Sequence, residues 1–206
     1  MDKERAMKQL KEIESMAGTG EKRLAADDWD EDWKTVIAIL MSARTTDKKT
    51  IPIAEELFRK FDTVDKLAKA KISEIEEIIR PVNFYRNKAK YVSGLAKIVT
   101  VQYGGKVPHD FDKLVELPGV GRKTANVFLA AQGHGTIGVD THVAWISKQM
   151  GWTKSEKQEI VEKDLKEIFP ADTWSRVNDT LVHFGQKYKS RAEKIKMLKK
   201  IKKEIR

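Results

Sequence analysis

Apolar residues recur every three or four positions along most of the chain, a spacing typical of amphipathic helices. No segment shows the strict alternation of a half-buried strand. The fold class is therefore expected to be all-α. The predicted helices span 1–16, 33–42, 48–61, 62–70, 73–80, 83–103, 111–117, 122–132, 141–150, 155–169, 173–188 and 194–206.

Two of the predicted helices begin with residues that are typical helix caps. Ser73 is followed three positions later by Glu76, which is the spacing of a capping box. Asp140 directly precedes the helix that starts at Thr141, so its carboxylate is expected to accept a backbone N–H there. The stretch 33–42 is almost wholly apolar and is predicted to be a buried helix.

One turn between two predicted helices has a composition suited to binding phosphate. Gly119 and Gly121 flank Val120, and glycine allows both a tight turn and a close approach to the backbone. The free amides at the start of the next helix attract anions. We expect Val120 to pack inward and the turn to hold a DNA strand by its phosphates, which positions a protein without reading sequence. The alternative is an ordinary connection between two helices.

The charge of the chain is concentrated near its end. The net charge is +9, and the segment 187–206 alone carries +8 of it. A basic segment on a nearly neutral body indicates a polyanionic partner, although a solvated lysine-rich helix has the same composition.

The chain contains no Cys, and this excludes several classes of site. Disulfides, thiolate catalysis, zinc–sulfur sites and iron–sulfur clusters all need cysteine sulfur. The longest apolar run, Val36 to Met41, is far shorter than the roughly 18 residues that span a membrane. The first ten residues lack the apolar core of a secretion signal. We therefore expect no metal site, no membrane partner and a cytoplasmic location, associated with the nucleoid.

Several segments resemble the endonuclease III family of helix-hairpin-helix DNA glycosylases. The resemblance is clear from about Trp33 to Trp152. It is carried by five stretches: Met41-Ser42-Ala43-Arg44-Thr45-Thr46-Asp47, Phe84-Tyr85-Arg86-Asn87-Lys88-Ala89, Gly104-Gly105-Lys106-Val107-Pro108, Leu117-Pro118-Gly119-Val120-Gly121-Arg122-Lys123-Thr124-Ala125 and Val139-Asp140-Thr141-His142-Val143.

The resemblance implies two catalytic residues. Lys123 matches the family's nucleophile, whose amine attacks the deoxyribose C1′ and forms a Schiff base. A lysine with an ordinary pKa of about 10.4 is protonated at pH 7, so it needs desolvation or nearby positive charge to react. The alternative is that Lys123 only pairs with phosphate. Asp140 matches the essential aspartate, which would stabilise positive charge on the sugar.

The resemblance also implies how the chain would hold DNA from which a damaged base has been flipped. Arg44 and Phe84 match the two residues that fill the gap, where the family commonly has Gln and Leu; the alternative for Phe84 is a core aromatic. His142 is either a base or, as we favour, a structural histidine. The further residues expected at the DNA are Leu117, Gly119, Val120, Gly121, Arg122, Thr124, His142, Lys187, Lys189 and Arg191.

The end of the chain departs from the family, which typically closes with a four-cysteine iron–sulfur loop. The segment 183–191 aligns with the start of that loop and contains no Cys. A lysine-rich amphipathic helix follows it, and we expect Ile195, Leu198, Ile201 and Ile205 to face the body of the protein. No cofactor is therefore expected.

Together these observations predict a two-lobed helix-hairpin-helix glycosylase fold with a central cleft. One lobe is expected at 27–133 and contains the hairpin; the other combines 1–26 with 134–206. The predicted function is a monomeric, bifunctional glycosylase and abasic-site lyase acting on oxidised pyrimidines in double-stranded DNA. The alternatives are uracil, mismatched thymine or oxidised guanine as substrate, or a DNA-binding module without enzymatic activity.

Overall fold

A computed structural model describes residues 2–18 and 23–205 of the chain. These residues form helices joined by loops, with no strand among them, as the sequence predicted. The α-helices are α1 Lys3–Ala17, α2 Asp32–Ser42, α3 Asp47–Lys60, α4 Val64–Lys69, α5 Ile72–Ile79, α6 Tyr85–Tyr103, α7 Phe111–Val115, α8 Arg122–Ala131, α9 Thr141–Met150, α10 Gln158–Ile168, α11 Trp174–Lys187 and α12 Arg191–Glu204. A short 3₁₀-helix, Ala171–Thr173, precedes α11.

The chain divides into two compact units. The first, which we call the hairpin unit, is Arg23–Phe128, and the second, the terminal unit, joins Met1–Lys22 to Leu129–Arg206. The sequence placed the corresponding boundaries at 26/27 and 133/134, a few residues further along the chain.

The hairpin unit is built around two helices. α2 is buried on nearly every side, from Trp33 to Met41, which confirms its prediction as a core helix. α6 packs against α4 and α5 and also contacts α2. The buried face of α6 includes Lys88, Val92, Leu95 and Val99, which recur at helical spacing. One residue of this face, Lys88, is charged.

The terminal unit brings the two ends of the chain together. α12 packs on α1 and α9, with Leu198 and Ile201 buried. Gln9 of α1 is fully buried; its amide accepts from the Trp152 indole at 3.1 Å and donates to the carbonyl of Ile205 at 3.2 Å. A buried amide that is bonded at both ends holds the last helix in one register.

Several predicted helix starts were wrong by one to three residues, and the caps explain three of these differences. α5 begins before Ser73, and its first turn is closed by Glu74, which accepts the backbone N–H of Lys71, instead of by Ser73 and Glu76. α6 begins at Tyr85 because Phe84 has a left-handed backbone, which cannot continue a right-handed helix. α12 begins earlier than predicted, at Arg191, because Ser190 and Glu193 form a capping box.

The face of α12 that packs inward is close to the predicted one. Leu198, Ile201 and Ile205 lie in or against the apolar core of the terminal unit. Met197 takes part in this packing in place of Ile195, which was expected there. Among residues 2–18 and 23–205, no helix has the length and apolar character needed to cross a membrane.

Candidate active site and nucleic-acid interface

The glycine-rich turn forms a compact hairpin between α7 and α8. The amide of Val120 donates to the carbonyl of Leu117 at 3.0 Å, and Gly119 has a φ of +76°. The first bond of α8 runs from the amide of Ala125 to the carbonyl of Gly121 at 3.0 Å. The Val120 side chain is buried, as predicted. The amides at the start of α8 therefore lie beside the turn, at the place where phosphate binding was predicted.

The hairpin rests on one side of α6. A Cβ added to Gly119 would lie 2.7 Å from Cγ of Tyr91, so glycine is required there by contact as well as by backbone angle. One turn further along α6, a Cβ added to Gly94 would lie 3.1 Å from the ring of Pro118. The hairpin and α6 are thus in close contact at two points. At the first, the hairpin backbone meets a side chain of α6, and at the second, the backbone of α6 meets a side chain of the hairpin.

The residues of the hairpin differ in what their side chains can reach. Gly121 and Arg122 are exposed, and Lys123 is half-buried in the first turn of α8. The Arg122 guanidinium lies 5.0 Å from the ring centroid of Phe111. Three of the hairpin residues predicted to contact DNA have buried side chains, so only their backbone is available for that contact, which stays a prediction: Leu117, Val120 and Thr124.

Arg44 and Phe84 are brought together in the hairpin unit. The guanidinium of Arg44 lies 4.9 Å from the centroid of the Phe84 ring, within range of a cation–π interaction. Their backbones share a positive φ, 58° for Arg44 and 60° for Phe84. Phe84 is 56% exposed, so the alternative that it is a core aromatic is wrong.

A surface pocket of about 260 Å³ extends from this pair to the hairpin. It is lined by Arg44, Phe84, Asn87, Lys88, Tyr91 and Gly119, among others. Tyr91 is 43% exposed although it supports the hairpin. The pocket therefore joins Arg44 and Phe84 to the hairpin along one side of α6.

Sequence reasoning missed the contributions of Asn87, Lys88 and Tyr91 to this surface. The burial of Lys88 had a detectable signal, because the lysine lies on the same helical stripe as Val92, Leu95 and Val99. A lysine at a core position is rarely buried without a reason. The exposure of Asn87 and Tyr91 had no comparable signal, since it depends on where the hairpin packs.

Asp140 lies at the start of α9 in the terminal unit. Its carboxylate accepts the backbone N–H of Val143 at 2.8 Å, which confirms the predicted N-cap. The cap fixes the orientation of the carboxylate, and the positive end of the helix dipole favours its charge. Lys123 belongs to the hairpin unit, and convergence of the two groups on one nucleoside stays a prediction.

His142 is half-buried in the first turn of α9, as its second residue. A Cβ added to Gly185 would lie 2.6 Å from Cγ of the imidazole, so α11 packs its backbone directly on this ring. Burial lowers the pKa of His142; Lys194 lowers it further, and the nearby Asp140 acts in the opposite direction. The close packing of α11 on the ring favours the structural interpretation.

The basic residues predicted to contact DNA near the end of the chain have different surroundings. The amine of Lys187 donates to the carbonyl of Met16 at 2.8 Å, so it helps to satisfy the last turn of α1. Arg191 is exposed, with its guanidinium 5.7 Å from the ring centroid of Trp145. Lys189 is exposed in the short link before α12.

Comparison with known proteins identifies the family. The sequence profile of the HhH-GPD superfamily of base excision DNA repair proteins matches residues 37–171, well over half of the chain. The chain belongs to this superfamily. Residues 37–171 of the HhH-GPD chain include the hairpin, both predicted catalytic residues and the Arg44–Phe84 pair.

Curated relatives of this HhH-GPD protein are endonucleases III. The enzyme of Thermotoga maritima is 36% identical over 177 residues, covering 85% of this chain and 83% of the relative. That of Bacillus subtilis is 39% identical over 158 residues, covering 75% and 71%. The chain is a base excision repair enzyme of the DNA N-glycosylase and AP lyase class.

Solved structures of endonuclease III share the fold of this HhH-GPD chain. A trapped endonuclease III–DNA covalent intermediate superposes with a TM-score of 0.84 at 34% identity, covering 93% of this chain and 90% of that one. A non-covalent endonuclease III–DNA complex gives 0.85 at 30% identity, covering 99% and 98%. The all-α helix-hairpin-helix fold class is thereby confirmed.

The residues near the chain end do not fit an iron–sulfur cluster of the kind that some endonuclease III homologues bear. Such clusters are held by cysteine thiolates, and this chain has no Cys. No group of three or more His, Asp and Glu in the described part of the chain is placed to hold a metal ion. The last part of the described chain is instead the lysine-rich helix α12, which is anchored by apolar packing.

Proposed function

We propose that this enzyme removes damaged bases from double-stranded DNA with Lys123 as nucleophile and Asp140 as its acidic partner. The observation that carries the proposal is the position of Lys123, which is the second residue of α8, immediately behind the hairpin. Endonuclease III, a relative of the same fold, has been trapped as a covalent intermediate with DNA. An amine next to a phosphate-binding turn is well placed for such a bond.

The proposed chemistry has two stages. The neutral Lys123 amine attacks C1′ of the deoxyribose, the glycosidic bond breaks, and the base leaves with the bonding electrons and takes up a proton. The C1′–O4′ bond of the sugar ring then opens, O4′ takes up a proton, and the nitrogen lone pair forms the iminium. The iminium acidifies the C2′ proton, and loss of that proton expels the 3′ phosphate by β-elimination. The carboxylate of Asp140 stabilises the positive charge on the sugar. Hydrolysis of the Schiff base then releases the enzyme.

We propose that the Arg44–Phe84 pair fills the space left by the extruded nucleotide. Phe84 is an exposed aromatic ring of the kind that inserts between base steps. Arg44 carries several N–H donors that can bond the unpaired base on the other strand. The amides of the hairpin and the exposed Arg122 would hold phosphates of the damaged strand.

We propose that Lys189 and Arg191 add contacts to phosphate. Both are exposed and lie in the segment that carries most of the net charge. Replacing each by Gln should reduce the slope of log affinity against log salt by about one unit. An unchanged slope for both variants would argue for a solvated basic helix.

Borohydride trapping tests the nucleophile. Wild-type enzyme incubated with a duplex containing an abasic site should be captured covalently, whereas Lys123→Gln should not. Lys113→Gln in α7 is the matched control, because it makes the same substitution on the helix before the hairpin, and it should trap like wild type. Equal trapping by Lys123→Gln would show that another amine reacts.

A panel of duplexes tests the substrate. We propose oxidised pyrimidines such as thymine glycol, acted on by a monomeric enzyme in the cytoplasm. Excision rates should be compared on duplexes carrying thymine glycol, uracil, a G·T mismatch and oxidised guanine. Fastest excision of any of the last three would replace this substrate assignment, while leaving the role of Lys123 in place.

A further inference from the structure

Lys88 of α6 is a buried lysine whose charge faces backbone carbonyls. It is 6% exposed, and no carboxylate forms an ion pair with it among residues 2–18 and 23–205. Burial lowers the pKa of Lys88 to about 8. Burying an unpaired ammonium is unfavourable, so its position needs a compensating interaction.

That interaction is made with the segment that carries Arg44. The Lys88 amine donates to the carbonyl of Met41 at 2.7 Å, to the carbonyl of Ala43 at 2.6 Å and to Oγ1 of Thr45 at 3.4 Å. Three N–H donors thereby meet three acceptors. The carbonyls lie at and just beyond the C-terminal end of α2, where the helix dipole favours positive charge.

Asn83 holds the same segment from a second direction. Its side-chain amide donates to the carbonyl of Arg44 at 2.5 Å, and its backbone N–H donates to Oγ1 of Thr45 at 3.2 Å. Ala43, Arg44 and Thr45 are thus each bonded to the residues around the start of α6.

The two residues fixed by these bonds are the strained pair. Arg44 is flanked by the Lys88 contacts to Ala43 and Thr45, and Phe84 directly follows Asn83. Both have a left-handed backbone, which is unfavourable for non-glycine residues and persists only where the surroundings impose it. Without the bonds, Arg44 would be free to relax and leave the Phe84 ring.

We propose that Lys88 is a positioning residue, which locks Arg44 over Phe84 so that the two side chains enter DNA as one preformed unit. The inference rests on the proposed role of the pair in filling the gap. The physical basis of the proposal is conformational entropy. If Arg44 and Phe84 (together the wedge) are already ordered before binding, their side chains lose no further entropy when they insert into DNA.

The test compares binding of two duplexes that differ at one nucleotide. One carries a tetrahydrofuran abasic analogue, and the other is undamaged. Lys88→Met removes the donors and keeps an unbranched side chain of similar length. We expect it to lower the ratio of the two affinities about tenfold while changing affinity for the undamaged duplex less than about twofold. The matched control is Lys97→Met, an exposed lysine further along α6, which should leave the ratio unchanged.

A double-variant cycle separates positioning from a general structural effect. In a Phe84→Ala background the wedge is absent, so Lys88→Met should no longer change the ratio. The inference would be overturned if the double variant lowered the affinity ratio by the product of the two single effects. It would also be overturned if Lys88→Met kept the wild-type ratio. If Lys88→Met does not fold, Asn83→Ala, which breaks the bond to Arg44 from an exposed position, takes its place in the same cycle. A wild-type protein with no preference for the abasic duplex would overturn the proposed role of the pair itself.

Discussion

The guanidinium of Arg44 lies 4.9 Å from the centroid of the Phe84 ring, although the two residues are 40 positions apart in the chain. The contact joins the end of α2 to the start of α6 and places a charged group against an exposed apolar ring. Because both residues are strained, their pairing is imposed by the bonds around them. The predictions that follow concern the groups that support this surface and the proposed catalytic residues.

Substituting the two hairpin glycines by alanine should affect different properties, stability for Gly119 and DNA binding for Gly121. Gly119→Ala places a methyl group against Tyr91 and forces alanine into a left-handed backbone, so we expect a loss of about 1–3 kcal/mol in the free energy of unfolding. Gly121 has open space around it and no positive φ, so Gly121→Ala should fold normally but bind DNA more weakly. Urea unfolding and DNA titration measure the two effects. Equal stability of both variants would contradict the packing of the hairpin on Tyr91.

The two roles assigned to Asp140 can be separated by substitution. Asp140→Asn keeps a good N-cap and removes the charge, so we expect unfolding within about 0.5 kcal/mol of wild type and a fall in single-turnover excision of about a hundredfold or more. Asp140→Ala should also lose about 1 kcal/mol of stability, because the bond to Val143 is gone. Full excision by Asp140→Asn would leave the residue as a cap alone.

The lowered pKa of Lys88 predicts how stability depends on pH. Between about pH 8 and the ordinary lysine pKa, the unfolded chain binds a proton that the folded chain has lost, so stability should rise with pH. The difference in unfolding free energy between wild type and Lys88→Met should therefore increase over this range by roughly 1–3 kcal/mol. Urea titrations from pH 7 to 10.5 measure it. A constant difference would show that Lys88 has the same pKa in the folded and the unfolded chain.

The contact between α9 and α11 predicts that Gly185→Ala changes stability in opposite directions in the presence and in the absence of the His142 ring. Gly185→Ala should destabilise the protein by about 1–3 kcal/mol, since the new methyl group meets the His142 ring. With His142→Ala already present, the same change should stabilise by up to about 1 kcal/mol, because alanine favours a helix more than glycine does. Thermal unfolding of the four proteins completes the cycle. Destabilisation in both backgrounds would place the obstacle elsewhere.

The sequence predicted most of the helices because their signals are local. The bounds of α9 and the cap by Asp140 follow from neighbouring residues, and the hairpin follows from the glycines around Val120. The start of α6 did not, because the left-handed backbone of Phe84 is imposed by bonds to a distant segment.

The candidate site could be predicted only in part for the same reason. A motif identifies single residues such as Arg44 and Phe84, but their contact depends on the three-dimensional packing of α2 and α6. Lys88 belongs to one of the stretches that resemble the family, yet the three acceptors of its hydrogen bonds lie more than 40 positions away along the chain. No local pattern contains that information.

Phe84 directly precedes α6, and the first three turns of that helix contain Lys88 and the residues on which the hairpin packs, Tyr91 and Gly94. A helix rotates roughly 100° per residue, so adding or removing one residue between Phe84 and Gly94 would turn these features away from each other. Natural variants of the fold should therefore change length freely in loops such as 132–139 and keep the spacing of this segment constant. The length and phase of α6 therefore set the spacing between the proposed DNA contacts of the hairpin unit.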